Sequence, residues 1–489
     1  MENNLDELRI ESDTMWKVGV PKRALWWPQT QRSKENFPVW EKLSIEVIKA
    51  YAILKKAAAY ANFELWVLVE EKRKLIAKAC DLILEWKYDK EFPLKVFQTW
   101  SWTQTNMNVN EVVSNIIHTK LQWKSLTEYY NPNKEIKRFI TPNDDVNKSQ
   151  SSNDTFPTAM HISACLQIEK KTIPSITRLL EVFKKKSEEF KDIVKIWRTH
   201  LQDATPITFW QEFSWYASQI ERWLTALYVA IPDWLALGWT AVGTWISSPK
   251  SKWYEELVAE KISEFSGSSF STAPNKFDAL SSHTDFINFH SPLKQLAIDI
   301  KNIMENIRLS ASWPRCWIWE LKLPENEPGS SIMPWKVNPT QIEAMIQVCN
   351  YVIWNDAEIA AQCDHTHFQL NVSKPSIITA YLNSAKYLWE MCDNIVDKCI
   401  DWIEVNRKAV ADNLNNSLML VTPLKDHTSY YLAAEIALEA NKNWTTLRVE
   451  TFELAKRLRN KSTLTEEEKK LAELTQEKFD EIVDPNKMV

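Results

Sequence analysis

The sequence predicts a mainly α-helical protein. Apolar residues recur at steps of three and four over residues 41–86 and 167–193, which places them on one face of a helix. The alternation that is typical of strands is rare, and we expect only short extended pieces, near the N-terminus and around Phe139–Thr141. Residues 150–405 contain several long helical patterns, and long helices with apolar stripes pack into a bundle.

The helical elements can be followed in order along the chain. The periodic residues of the first stretch are Leu43, Val47, Tyr51, Leu54 and Ala58. Those of the second are Ile168, Ile173, Ile176, Leu179, Leu180, Phe183, Phe190 and Ile193. Near the C-terminus, the spacing of Thr465 and Glu468 predicts a capping box before a helix over Lys469–Ile482.

Composition excludes several classes of function. The net charge is −5 over 489 residues, so the chain lacks the basic footprint of a nucleic-acid-binding protein. No apolar run approaches the ~18 residues of a membrane span. The N-terminus is acidic and has no signal-peptide pattern. These features predict a cytoplasmic protein that binds neither nucleic acid nor membrane.

The seven cysteines favour free thiols, because their number is odd and none forms a Cys-x-x-Cys pair. Cys363, His365 and His367 lie close together and could ligate a metal, but no second cluster accompanies them, so no metal site is predicted. The sequence has neither a phosphate-cradling glycine loop nor an iron–sulfur pattern, and we predict no cofactor.

Residues Gly329–Glu343 are the most informative segment. They read Gly-Ser-Ser-Ile-Met-Pro-Trp-Lys-Val-Asn-Pro-Thr-Gln-Ile-Glu. Such a loop can bring Ser330, Ser331, Lys336 and Asn338 to one anionic ligand. A solvated turn before a helix would explain the serine pair alone, but a lysine and an asparagine at fixed distance from that pair favour a binding loop.

This segment resembles the signature loop of the fumarase/aspartase superfamily, in which proton abstraction beside a carboxylate leads to elimination. Two further segments, Gln150–His161 and Trp197–Gln219, look like class II fumarases, the metal-independent tetrameric family. The resemblance runs from about Met15 to Met488. It implies a fumarase/aspartase-like fold of three mostly helical domains, assigned here to residues 1–149, 150–405 and 406–489, with a long central helical bundle.

The resemblance also implies a reaction, the reversible hydration of fumarate to (S)-malate in the tricarboxylic acid cycle. The enzyme must supply a base, hold the developing aci-carboxylate and protonate the leaving hydroxyl. Ser330 matches the family's catalytic base, and loop N–H groups could stabilise its anion. Lys336 and Asn338 match residues that bind the substrate carboxylates, as a charged and a neutral donor. Ser331 belongs to the same substrate-binding loop.

His200 lies in the motif Thr199-His200-Leu-Gln-Asp203 and matches a family histidine that works with a water, oriented by a glutamate that matches Glu343. Further substrate contacts are matched by Ser101, Thr103, Ser151, Ser152, Asn153 and Thr199, although each alone could equally be a cap or a turn residue. A second anion site of some fumarases is matched by Arg138, Asn143 and Asp144. Thr141 weakens that assignment, because the family often has histidine there.

The matched groups lie far apart in sequence. In the family, one pocket takes them from different subunits, so the resemblance implies a homotetramer that acts on small dicarboxylates. The nearest rival is an aspartase, which typically has glutamine where His200 lies and continues differently after Asn338-Pro339. A catalytically inactive homologue on the same scaffold is a second alternative. It is disfavoured because the polar catalytic positions are intact.

The composition is anomalous in one respect. The chain has 5 Gly and 25 Trp, so glycine makes up roughly 1% of residues against a usual share of about 7%. Where fumarases carry glycine, this chain repeatedly carries tryptophan, at positions 27, 100, 102, 197, 210, 215, 239, 245, 313, 317, 319, 335, 402 and 444. Some bacteria read UGA as glycine. The pattern therefore suggests that these positions are encoded by UGA codons that mean glycine in the source organism and are translated here as tryptophan. Trp26 is an exception, because it matches an aromatic residue of the family.

This hypothesis makes a structural prediction. Glycine serves where φ is positive or where two backbones approach closely, and an indole suits neither position. We therefore expect tryptophans at positive φ, or crowded beside the catalytic loops. The alternative is a natural tryptophan-rich surface.

Overall fold

The computed structural model describes residues 8–13, 15–85, 87–98, 102–124, 126, 138–238, 253–313, 318–364 and 366–489. Its helices are α1 (Pro28–Asn36), α2 (Ile45–Glu64), α3 (Glu70–Leu84), α4 (Trp102–Ile116), α5 (Ser152–Gln167), α6 (Ile173–Glu189), α7 (Phe209–Val229), α8 (Tyr254–Ser266), α9 (Lys276–Ser281), α10 (Asp285–Ser310), α11 (Thr340–Cys363), α12 (Lys374–Lys398), α13 (Arg407–Asn416), α14 (Leu424–His427), α15 (Tyr430–Asn443), α16 (Leu447–Arg459), α17 (Glu466–Ala472) and α18 (Gln476–Ile482). The mainly α fold class predicted from the sequence is confirmed.

The strands are short and pair two by two. They are β1 (Leu8–Ser12) with β2 (Lys17–Pro21), β3 (Val194–Thr199) with β4 (Gln202–Thr208), β5 (Trp234–Leu235) with β6 (Ser271–Thr272), β7 (Leu321–Lys322) with β10 (Glu404–Val405), and β8 (Thr366–His367) with β9 (Leu370–Asn371). The β5–β6 pair is parallel and the others are antiparallel.

Two of these findings bear on the sequence predictions. The extended pieces expected near the N-terminus are confirmed by β1 and β2. Around Phe139–Thr141 no strand forms: Phe139 and Ile140 form a bend, and only Thr141 is extended, as the residue before a π-helical turn at Pro142–Val146. No helix in the described part of the chain is both long and apolar enough to cross a membrane.

The chain divides into two compact units. Unit 1 comprises residues 1–175, 223–298 and 348–390, and unit 2 comprises residues 176–222, 299–347 and 391–489. The three-domain division drawn from the resemblance stays a prediction.

Helix α2 forms the centre of unit 1. It packs against α3, α4, α5 and α8, and it is buried on nearly every side rather than along one stripe. Tyr51, Leu54, Ala57 and Ala58 are fully buried, and so is Lys55. A helix that is apolar all round belongs inside a core, so the single buried ammonium needs polar partners, which are described below.

In unit 2, the β3–β4 hairpin connects α6 to α7. An aromatic cluster joins the two helices at the base of the hairpin. Phe190 at the end of α6 packs edge-on against Phe209 and Phe213 of α7, with ring centroids 6.1 and 5.6 Å apart. Such pairs add to the stabilisation from burial alone, and the cluster therefore holds both ends of the hairpin.

The C-terminal helices of unit 2 have a hydrophobic core of their own, drawn from residues 414–488. Hydroxyl residues cap four of these helices, with Ser429, Thr446, Thr465 and Thr475 each accepting a backbone N–H. The capping box of Thr465 and Glu468 is confirmed. The helix predicted over Lys469–Ile482 is instead two short helices, α17 and α18.

Tryptophan dominates the positive-φ residues. Ten non-glycine residues in the described ranges have positive φ, and six are tryptophans, although Trp accounts for only 25 of 489 residues. We call this set the left-handed tryptophans: Trp40 (φ 72°), Trp66 (60°), Trp123 (55°), Trp319 (47°), Trp335 (63°) and Trp444 (53°). The prediction of tryptophans at positive φ is thus confirmed at these positions. The remaining described tryptophans do not have positive φ.

Candidate active site

The serine loop, Gly329–Asn338, is closed at its base by two hydrogen bonds. The Gly329 N–H donates to the Lys336 carbonyl at 2.6 Å, and the Asn338 side-chain amide donates to the Gly329 carbonyl at 2.9 Å. A Cβ on Gly329 would lie 2.8 Å from the Asn338 backbone nitrogen, closer than real contacts allow. Glycine is therefore required here for close approach.

Inside this loop, backbone N–H groups converge on the Ser330 hydroxyl. Ser330 Oγ accepts hydrogen bonds from the N–H groups of Ile332 and Met333 at 3.3 and 3.0 Å. Donors that face the oxygen stabilise it as its negative charge develops, which lowers the cost of removing the hydroxyl proton. The loop thus provides the anion stabilisation that a serine base requires.

The other matched residues of the loop differ in their surroundings. Ser331 and Lys336 are exposed, and Asn338 is half-buried. The amide N–H of Asn338 is used in closing the loop. Lys336 remains available to an anion, whereas Asn338 also contributes to loop shape.

Glu343 lies in the first turn of α11, just after the loop. Its Oε1 accepts a hydrogen bond from Arg308 Nη2 of α10 at 3.1 Å, and both side chains are partly exposed. No pattern in the sequence indicates this ion pair. Among the contacts of the described residues, none joins Glu343 to His200.

His200 lies at the tip of the β3–β4 hairpin. Thr199 pairs with Gln202, so His200 and Leu201 form a two-residue turn, with φ values of 53° and 62°. Positive φ at both central residues is the signature of a type I′ turn. Histidine tolerates this region better than most residues, but leucine is an outlier there. Thr199, His200 and Leu201 are exposed.

A buried ion network holds the hairpin in place. The Arg198 guanidinium binds both carboxylate oxygens of Glu320 at 3.0 and 2.7 Å, and Lys195 Nζ lies 3.2 Å from the same carboxylate. Lys195 also binds Glu212 at 2.6 Å. Burial raises the pKa of the Glu320 carboxyl, but Arg198 and Lys195 outweigh that effect and hold it below its usual value. A bidentate contact fixes direction as well as distance, so the network orients the strand that ends at His200.

Ser151 begins α5 as its N-cap. Its hydroxyl accepts the Asn153 N–H at 3.2 Å, and its own N–H donates to Asp154 at 3.0 Å, which completes a capping box. Ser151, Ser152 and Asn153 are all half-buried. The capping role that the sequence left open for Ser151 is therefore present.

Thr103 lies in the first turn of α4 and is exposed. Ser101 lies outside the described residues. In the proposed second anion site, Asn143 and Asp144 are exposed, whereas Arg138 is buried with its guanidinium 3.6 Å from the Trp27 ring centroid. Burial lowers the pKa of Arg138 to about 10, despite nearby Glu11. No contact between Arg138 and Asn143 or Asp144 is found in the described part of the chain.

The described residues contain no group of three metal ligands. Of the cluster considered from the sequence, the Cys363 thiol donates to the His283 carbonyl at 2.9 Å, and His365 lies outside the described ranges. Where the thiols are described, they are free and buried: Cys80, Cys165, Cys349, Cys363, Cys392 and Cys399.

The chain is similar to known proteins over nearly its whole length. A lyase family model matches residues 17–353. The class II fumarate hydratase of Haemophilus ducreyi is 49% identical over 99% of each chain. That of Bacillus subtilis is 45% identical, again over 99% of each chain. The crystal structure of the class II fumarase of Schistosoma mansoni superposes with a TM-score of 0.89 at 34% identity, covering 98% of this chain and 99% of the other.

Proposed function

The chain belongs to the lyase family and, within it, to the class II fumarate hydratases, and from that premise we propose how its residues carry out the reaction. The reaction is the reversible addition of water to fumarate to give (S)-malate. The single observation that carries the mechanism is the pair of N–H groups on Ser330 Oγ.

Ser330 acts as the base in the dehydration direction. As the alkoxide, it takes the proton from the malate carbon beside a carboxylate and becomes the hydroxyl, and that carboxylate takes up the electron pair as an aci-carboxylate. The N–H groups of Ile332 and Met333 stabilise the serine oxygen before transfer. Lys336, exposed at the end of the same loop, offers a charge-assisted contact to a substrate carboxylate.

His200 protonates the leaving hydroxyl through a water, and in reverse it activates that water for addition. Its exposure at a hairpin tip supports this role, because the ring is free to meet substrate or a neighbouring subunit. Glu343 assists by orienting the same water, and Arg308 holds its carboxylate in place. The further substrate contacts are Ser101, Thr103, Ser151, Ser152, Asn153, Thr199, Ser331 and Asn338.

We further propose that the enzyme is a homotetramer with composite sites and that it serves the tricarboxylic acid cycle in the cytoplasm. Exposure of His200, Ser331 and Lys336 supports composite sites, since these side chains lack the enclosure that a charged intermediate needs. The described free thiols are consistent with a reducing compartment.

We expect the purified protein to interconvert malate and fumarate with no added metal. Formation of fumarate from malate can be followed by its ultraviolet absorbance, with and without a chelator, and aspartate serves as the competing substrate. Activity that a chelator abolishes and iron restores would contradict the metal-independent mechanism. Release of ammonia from aspartate would favour the ammonia-lyase alternative.

A further inference from the structure

The backbone conformation of the left-handed tryptophans indicates which amino acid the native protein has at these positions. We infer that the native residue at these six positions is glycine, encoded by UGA codons that the source organism reads as glycine. The inference is independent of the proposed mechanism, because it rests on the φ angles of all six residues and on the exposure of the indoles at Trp66, Trp123, Trp335 and Trp444.

Two helix ends provide a matched comparison. Helix α8 ends at Gly267, with φ of 67°, and its N–H donates to the Ser263 carbonyl four residues back. Helix α15 ends at Trp444, with φ of 53°, and its N–H donates to the Ala440 carbonyl four residues back. The two positions have the same geometry, which glycine fills far more often than any other residue.

Trp66 occupies the equivalent position after α2. The Val67 N–H reaches back to the Asn62 carbonyl at 2.7 Å, which is the six-to-one bond of a Schellman motif with its left-handed residue at Trp66. Trp123 follows the helical turn Ile117–Leu121, and the Lys124 N–H donates back to the His118 carbonyl at 3.0 Å. Both tryptophans terminate helices in the way that glycine does.

The indoles at these helix ends are not stabilised by packing. Trp66 and Trp123 are each 86% exposed, and Trp444 is 96% exposed. A large residue at positive φ normally makes buried side-chain contacts that offset the unfavourable backbone conformation. In the serine loop, Trp335 is 71% exposed, its ring packs edge-on against Trp313 with ring centroids 4.9 Å apart, and it directly precedes Lys336, the proposed carboxylate contact.

Trp26, by contrast, is buried and hydrogen-bonded, as expected for a native tryptophan. It is only 8% exposed, its Nε1 donates to Gln31 Oε1 at 3.0 Å, and Lys34 Nζ lies 5.1 Å from its ring centroid. It is also absent from the positive-φ residues. Trp26 is therefore the internal control for every test of the inference.

The first test determines the codons in the gene and the masses of peptides from the native protein. We expect UGA codons at the left-handed tryptophans and UGG at Trp26. Trypsin releases Asn443–Arg448 as one short peptide, and its mass in protein from the native source should match glycine at position 444. The peptide Ala24–Arg32 should retain tryptophan at position 26. A UGG codon at position 444, or a native peptide with tryptophan there, would overturn the inference.

The second test uses recombinant variants of the full chain. Trp444→Gly should raise the thermal midpoint by about 1–3 °C, and Trp444→Ala should raise it less, because alanine keeps the left-handed strain. Trp26→Gly should lower it, because a buried contact is lost. Equal gains from glycine and alanine, or a loss at Trp444→Gly, would show that the backbone does not select glycine. If the chain with tryptophan is insoluble, the yield of soluble protein from each variant should rank the variants in the same order.

A second inference rests on buried Lys55, whose ammonium group connects two predicted substrate segments. Lys55 Nζ donates to Asn106 Oδ1 at 2.6 Å, to Gln150 Oε1 at 2.9 Å and to Asn147 Oδ1 at 3.0 Å. Its three donors are thus all satisfied. Asn106 lies one turn along α4 from Thr103, and Gln150 directly precedes Ser151.

We propose that Lys55 is a positioning residue for substrate binding, a role that rests on the proposed function of these two segments. By binding both amides, it fixes the start of α5 relative to the start of α4. A fully buried ammonium with three amide acceptors is a rigid connection, because the buried Nζ must keep all three bonds and the Gln150 oxygen has no other donor among the described residues.

Lys55→Met removes the ammonium at similar side-chain length. We expect KM for fumarate to rise about tenfold or more with a smaller change in kcat. The matched control is Lys374→Met in the same unit. Lys374 is also fully buried and bonded to carbonyls, those of Leu280 and Asn371, and neither carbonyl belongs to a predicted substrate segment. Lys374→Met should lower stability and leave KM unchanged.

Should Lys55→Met not fold, Gln150→Met removes one of the three acceptors, together with the bonds that Gln150 Nε2 donates to the Val146 and Lys148 carbonyls, and should raise KM by a smaller factor. Equal KM changes in the Lys55 and Lys374 variants, or none at all, would overturn the positioning role. Calorimetric binding of an equilibrated fumarate–malate mixture repeats the comparison without turnover. A wild-type chain that binds the mixture but does not turn it over would contradict the proposed function alone.

Discussion

Ser330→Ala is expected to lower kcat by at least ~100-fold, with little change in thermal stability. The hydroxyl is the proposed base, and the N–H groups of Ile332 and Met333 already face its oxygen. Alanine removes the proton acceptor and leaves the closing bonds of the loop between Gly329, Lys336 and Asn338 intact.

Steady-state kinetics of two further variants make this result specific. Lys336→Ala should mostly raise KM, because its proposed role is to bind a carboxylate. Ser312→Ala removes another hydroxyl of unit 2, one that donates to the Leu309 carbonyl and has no proposed role in the reaction, and should leave both constants unchanged. Near-normal turnover by Ser330→Ala would show that another group is the base.

His200→Asn is expected to cause a loss of similar size, at least ~100-fold in kcat. Asparagine is the informative substitution because it tolerates positive φ, so the type I′ turn is kept while the imidazole is lost. Leu201→Gly is the matched control in the same turn. It relieves an unfavourable backbone conformation, keeps His200, and should retain activity.

The two inactive variants together test the composite site. If His200 and Ser330 enter one pocket from different subunits, mixing Ser330→Ala with His200→Asn under subunit exchange creates some pockets with both groups intact. Activity should then return in the mixture, measured against each variant treated alone. A mixture that stays inactive after exchange is verified, or a fully active monomer by light scattering, would contradict composite sites.

The sequence predicted some features well because their causes are local. Helical periodicity locates α2 and α6, and the spacing of Thr465 and Glu468 identifies a capping box, since both depend on residues a few positions apart. The serine loop also depends on residues that are close in sequence. Its serines, Lys336 and Asn338 lie within ten residues, so a motif alone predicts that they share a site.

Other features were missed because they depend on residues distant in sequence. The β3–β4 hairpin has no Asn-Gly or similar signal at its turn, and it is instead supported by Arg198 binding Glu320. Nothing local indicates that Glu320 is buried there, or that Arg308 pairs with Glu343. The partners of Lys55 come from two segments, α4 and the turn before α5, which only their packing with α2 brings together. Long-range ion pairs of this kind become visible only in the folded chain.

The left-handed position at Trp40 has a consequence for the mobility of the gene between organisms. If UGA encodes these positions, a ribosome that reads UGA as stop would release this chain at Val39 at the latest, before every residue with a proposed role in binding or catalysis. Expression in such a host would therefore yield at most β1, β2 and α1, and no enzyme. On this inference, the gene would give an active enzyme only in organisms that read UGA as glycine.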